Sequence, residues 1–139
     1  MTTLETSAQR SGKGLHIALW VVQVLLFLAF AMAGGMKLFN PAAAAMAKQQ
    51  SGMPYALTYF IGVCEVLGAL GVILPAATRT APKLTGFAGV GLLTIMVLAF
   101  GFHLSRGELS HTPPVIVLGA MAAFVAWGRL KAAPIAPRS

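Results

Sequence analysis

Three ionisable residues of this sequence sit in or at the ends of long apolar runs and could do chemistry together. Glu65 is the one acidic residue inside such a run, Lys37 closes another, and His103 ends a third. An ionised carboxylate near the middle of a bilayer costs about 2.5–3.5 kcal/mol on insertion scales. Glu65 therefore needs a cation beside it or a raised pKa. Lys37 is the natural partner, with His103 and Arg106 next. A deep carboxylate with cations at its mouth could exchange protons, hold an anionic head group, or hydrogen-bond a quinone. Glu65, Lys37 and His103 are the catalytic candidates on this reasoning; Gln23, Thr58 and Arg106 are the candidates for holding a ligand. Each has a plainer alternative. Glu65 and Lys37 could be a brace that sets helix register. Gln23 could make a single interhelical hydrogen bond, worth about 0.6 kcal/mol on average. His103 beside Arg106 equally suits an interfacial anchor.

Other chemistries lack their parts. Haem b would want two opposed histidines at similar depth, but His16 lies at the start of the first run and His111 in a loop. There is no metal-ligand cluster, glycine-rich phosphate loop or nucleophile elbow. Paired-acid hydrolysis lacks a second buried carboxylate. Cys64 is the single cysteine, so a Cys-x-x-Cys pair, a four-cysteine metal site and an intrachain disulfide are excluded. Although adjacent to Glu65, it points to a different helix face and reads as a small hydrophobe. Neither haem nor metal is expected; a quinone is the cofactor class these residues would suit.

The elements that position these residues follow from composition. Of 139 residues, 58% are hydrophobic and 9% charged, and the mean hydropathy is +0.81. A soluble domain carries about 25% charged residues to cover its surface. This chain cannot do so, which excludes a water-soluble globule and a disordered chain. Ten Lys and Arg against three Asp and Glu leave a net charge of +7. The cations are spread singly between apolar runs and form no stripe, so nucleic acid is not the partner.

A spanning helix needs about 20 mostly apolar residues. Four segments qualify: about Leu15–Phe39, Tyr55–Leu74, Leu84–Leu104 and Val115–Trp127, the last borrowing Pro113 and Pro114 as its first turn. Pro54 and Pro75 bracket the second span. Segment 41–50, with Asn40 as N-cap and Pro41 at the first helical position, predicts a short helix too short to cross. The fold class is therefore an all-α, integral-membrane four-helix bundle. Its domain is residues 15–131, flanked by tails 1–14 and 132–139. Arg10, Lys13, Arg79, Lys83, Arg129, Lys131 and Arg138 flank one side of these spans; Lys37, Lys48 and Arg106 flank the other. The positive-inside rule then places both termini in the cytoplasm of a multi-pass cell-membrane protein. The Leu15–Ala33 stretch is longer than the 7–15-residue core of a cleaved signal, so the first span is expected to be retained.

On a helical wheel Gly62, Gly68, Ala69 and Thr58 share the face of Glu65; Gln23, Phe30, Ala33, Gly34 and Lys37 share a face of the first span; Met96, Ala99 and Phe100 lie on the side of His103. Small residues let helix backbones approach in lipid. These faces are expected to look into one bundle interior, with Glu65 deeper than Lys37 and His103.

The segments Ala33-Gly34-Gly35-Met36-Lys37-Leu38 and Gly62-Val63-Cys64-Glu65-Val66-Leu67-Gly68-Ala69-Leu70-Gly71 resemble those of the DoxX-like family. Leu74-Pro75, Thr78-Arg79, His103-Leu104-Ser105-Arg106-Gly107-Glu108 and Ala126-Trp127-Gly128-Arg129 follow in matching order. The resemblance spans about Leu15 to Leu130 and implies a small four-helix membrane protein. Members of that family are linked to thiosulfate–quinone oxidoreduction and membrane redox complexes, and more distant relatives to assembly of membrane receptors. The expected function is a role in a membrane redox system, or action on a quinone- or lipid-like molecule at an outward-facing polar site. The alternative is a non-catalytic lipid-binding or assembly factor. Partners on either reading are membrane lipids, a lipophilic small molecule, and a second copy or a redox partner protein. With no cysteine pair, redox chemistry contained in this chain alone is not expected.

Overall fold

The computed structural model describes the backbone of residues 3–138 and the side chains of residues 12–138. The chain forms α1 (Thr3–Phe39), α2 (Pro41–Ser51), α3 (Tyr55–Thr78), α4 (Lys83–Ser105) and α5 (Thr112–Trp127). A 3-10 turn at Leu109–His111 precedes α5, and a π turn at Gly128–Ala132 continues it. Four stretches are long and apolar enough to cross a membrane: Gly12–Phe39, Tyr55–Thr78, Lys83–Ser105 and Leu109–Ala132. The shortest has 23 residues, roughly 35 Å at 1.5 Å per residue, against a hydrocarbon core of about 30 Å. The protein is an all-α membrane bundle.

Two boundaries differ from those expected. Helix α1 runs without a break from Thr3, well before Leu15. Pro75 does not close the second span but lies inside α3, which continues to Thr78. A proline removes one backbone hydrogen bond; past it, the Thr78 hydroxyl donates to the Leu74 carbonyl at 2.7 Å. The short helix forms as read. Asn40 is extended, its side chain accepts from Ala42 N–H at 3.1 Å, and Pro41 starts α2.

The long helices alternate in direction, so the N-terminal part of α1, the α3–α4 turn and the π turn after α5 share one end of the bundle. Helix α2 and the α4–α5 turn share the other. Helix α1 packs chiefly on α3, α4 lies between α3 and α5, and α5 closes back on α1. Leu26, Phe30, Ala69, Val72, Leu92, Met96, Ala122 and Val125 fill the core. The outer surface stays apolar: Phe60, Leu67 and Leu98 are each more than 60% exposed, as lipid-facing side chains should be. Burying leucine among leucines gains little in lipid, so close backbone contact sets the assembly. A Cβ on Gly34 would lie 2.8 Å from the Gly62 carbonyl oxygen; one on Gly89 would lie 3.0 Å from the Ala122 oxygen.

Candidate functional site

The α1–α3 contact builds the first part of the site. Gly34 and Lys37 are three residues apart on α1, and Gly62 and Glu65 three apart on α3. Because the helices are antiparallel, each glycine faces the other helix's charged residue. A Cβ on Gly34 would meet Glu65 Cβ at 3.1 Å, and one on Gly62 would meet Lys37 Cβ at 3.0 Å. The absent side chains bring the two helices close enough for Lys37 Nζ to donate to Glu65 Oε2 at 2.9 Å. The carboxylate side chain is 6% exposed and the lysine 29%. Lys37 also lies in the last turn of α1, where a cation complements the helix dipole. The depth difference expected between the two residues is bridged by the lysine side chain, and the contact is direct. One of three ammonium donors is spent on Glu65, so Lys37 keeps donors for a second oxygen.

Thr58 is 1% exposed on the Glu65 face, but its hydroxyl donates to the Pro54 carbonyl at 3.3 Å within its own helix. It stands seven residues before Glu65, about 10 Å along the axis.

His103 and Arg106 form a separate clasp at the α2 end. His103 Nδ1 lies 2.7 Å from Glu108 Oε2, and Arg106 Nε donates to Glu108 Oε1 at 3.0 Å. Hydrogen bonding to His103 first, and to Arg106 second, holds the Glu108 carboxyl below the usual glutamate range. Arg106 also donates to the Gln50 and Ser51 carbonyls at 2.8 and 3.3 Å. It thereby satisfies carbonyls at the end of α2 and ties that helix to the α4–α5 turn. The His103 ring stacks on His111, with centroids 5.2 Å apart. Ligand atoms of His103, Glu108 and His111 all lie within 4.8 Å of one another, so these three could hold a metal ion. The expectation of no metal-ligand cluster does not cover this group, because His103, Glu108 and His111 meet only through the fold of the α4–α5 turn. Among the described contacts, none joins His103 to Lys37 or Glu65.

Gln23 belongs to a third group, at the end of the bundle that carries the termini. It shares a helix face with Lys37 but lies fourteen residues away, about 21 Å along α1. The single interior expected from the helical wheel is thus divided into two levels. Gln23 is fully buried; its Nε2 donates to the Val72 carbonyl at 2.7 Å and its Oε1 accepts from Arg129 Nε at 2.7 Å. Arg129 is the residue sequence reasoning missed. It reads as a cation stopping the fourth span, yet it is 1% exposed. The π turn at Gly128–Ala132 carries its side chain inward, and Gly128 makes room because a Cβ there would collide with Leu19.

Four membrane-crossing helices in up-and-down order, with charged groups held between them by glycine contacts, define a small polytopic membrane protein. Residues 21–125 match the profile of the DoxX-like family, and the chain belongs to it. Comparison with curated proteins and with solved structures gives no match. The matched region contains Gln23, Lys37, Thr58, Glu65, His103 and Arg106 and ends before Arg129.

Proposed function

We propose that the Lys37–Glu65 pair receives the polar head of a lipophilic molecule, of quinone or lipid-like class, and that the protein serves a membrane redox system. The observation that carries this reading is the pair itself: a buried carboxylate whose lysine stays partly exposed at 29%. Ionisable residues inside a membrane are costly and mark working sites by default. A quinone carbonyl would accept from Lys37 Nζ, and Glu65 would take or give the accompanying proton. Electrons would come from a redox partner protein, since Cys64 is the one cysteine of the chain. On this reading His103 and Arg106 shape the mouth of the site, while Thr58 and Gln23 support the helices that carry it. The seven cations at the termini end favour cytoplasmic termini in the cell membrane, so the pair opens toward the outer half of the bilayer.

A second reading, a non-catalytic lipid-binding or assembly role, is favoured by one observation. A groove of ≈ 310 Å³ between α4 and α5 is lined by Leu93, Met96, Phe100, Val115 and Gly119 among others, all apolar and away from the pair. The test is binding of a short-chain benzoquinone to the purified protein in nanodiscs. The redox reading expects saturable binding that Glu65→Gln and Lys37→Met each weaken. Binding that ignores both substitutions but is lost on filling the groove with Gly119→Leu supports the second reading and removes the first.

A further inference from the structure

The buried Arg129 guanidinium has more donors around it than acceptors. Its Nε donates to Gln23 and its Nη1 to the Ala133 carbonyl at 3.0 Å. Nη1 also lies 3.0 Å from His16 Nδ1, while Trp20 Nε1 lies 3.1 Å from His16 Nε2. A neutral imidazole accepts at one nitrogen only, and an arginine is always a donor. When His16 Nδ1 accepts from Arg129, the Trp20 indole faces an N–H and is left without an acceptor. Arg129 Nη2 is buried with no partner among the described residues. Among the described residues no carboxylate offsets the charge there. Glu65 is held by Lys37 and Glu108 by His103 and Arg106. Buried charges in proteins are paired or strongly penalised.

Beside this cluster lies an open, solvent-facing cleft of ≈ 750 Å³, which we call the cavity, lined among the described residues by Gly12, Lys13, His16, Ile17, Ala133 and Pro134, with Arg129 behind it. Two of its walls, His16 and Ala133, are the groups that Arg129 Nη1 contacts. Lys13 adds a second cation at the rim. We propose that this cavity binds a phosphate-bearing anion, with Arg129 as the deep anchor and Lys13 and His16 as the contacts at its mouth. A phosphate offers several acceptor oxygens and the missing negative charge, which is what the cluster lacks. Arg129 itself does not line the cleft, so on this proposal an anion reaches Nη1 and the Trp20 indole only if the exposed His16 ring swings away from both.

The phosphate could be free or belong to a lipid head group, and two measurements separate these sources. Inorganic phosphate is titrated into detergent-purified protein while Trp20 fluorescence is followed in a Trp127→Phe background. Retention of phosphatidylglycerol against phosphatidylcholine is counted by native mass spectrometry. A response to inorganic phosphate identifies a free-anion site, and selective phosphatidylglycerol retention alone identifies a head-group site. In either case Arg129→Gln weakens binding at least about tenfold, the least that a lost charge-assisted hydrogen bond is worth, and Lys13→Gln on the exposed rim weakens it by a smaller, salt-screened factor. Where Arg129→Gln does not fold, Lys13→Gln with His16→Gln on the exposed rim carries the test. The proposal is overturned if neither ligand binds the unsubstituted protein, or if binding survives these substitutions unchanged.

Discussion

Adding a single methyl group at Gly34 tests how the site is held. A Cβ there would lie 2.8 Å from the Gly62 carbonyl oxygen and from Val66 Cγ2, where ordinary contact begins at 3.4 Å. Val66 can change rotamer, but the carbonyl is backbone, so α1 and α3 must part by roughly 0.6 Å or more. Overpacking of this kind costs about 1–3 kcal/mol. Against it stands the helix propensity gained on replacing glycine by alanine, about 0.8–1 kcal/mol. Gly35 is the control, because a Cβ there meets nothing within 4 Å. Gly35→Ala collects the propensity gain without the clash. The two neighbouring variants should therefore differ by the clash alone, about 1–3 kcal/mol, with Gly35→Ala the more stable. Thermal unfolding in detergent, read by intrinsic fluorescence, measures that difference. Equal melting of Gly34→Ala and Gly35→Ala would refute close backbone contact as what seats Lys37 against Glu65.

Three further outcomes are expected. Gln23→Leu removes the acceptor of the buried Arg129 Nε and the amide that donates to the Val72 carbonyl inside α3, and should cost about 1–3 kcal/mol for the arginine donor left unsatisfied; an unchanged melting temperature contradicts the inner cluster. The Glu108 carboxyl titrates lower when clasped than when free, so its contribution is complete above the ordinary value of 4.5 and fades as pH falls through the lowered one. A carboxyl-carbon NMR titration should find Glu108 below that ordinary value, and His103→Gln should move it back up; no change on that substitution contradicts the clasp. Cysteines at Thr80 and Ser110, introduced in a Cys64→Ala background, should label from opposite sides of the membrane, with Thr80 reached from the cytoplasm. Labelling of both from one side contradicts the topology.

Much of the architecture is local and was legible. Apolar runs of spanning length, the Asn40–Pro41 cap and the shared face of Gly62 and Glu65 need only helix periodicity, and each appears in the structure. Glu65 and Lys37 stood out because charges in apolar runs are rare, and their contact is real. The failures are tertiary. A helical wheel preserves angle but discards height, so Gln23 and Lys37 fell on one face although they work at opposite ends of the bundle. Arg129 reads as a boundary cation because such residues normally meet water. Its burial depends on Gln23, 106 positions away in sequence, and on the π turn that redirects it. A buried glutamine aligned with an arginine at the matching height of another span was the available clue. The clasp of His103, Arg106 and Glu108 escaped because it forms on the turn after α4, whose path depends on α2.

Whether Glu65 works on a ligand with Lys37 as its partner is decided by a two-residue cycle read by function and stability together. Glu65→Gln keeps shape and hydrogen-bonding capacity while removing charge and proton transfer. Lys37→Met leaves a buried anion unpaired, a change that costs about 3–5 kcal/mol in soluble proteins. Glu65→Gln is expected to stay folded in detergent but lose quinone binding, and the double variant to regain stability without regaining binding. Recovery of both stability and binding in the double variant would show that the pair is only a brace.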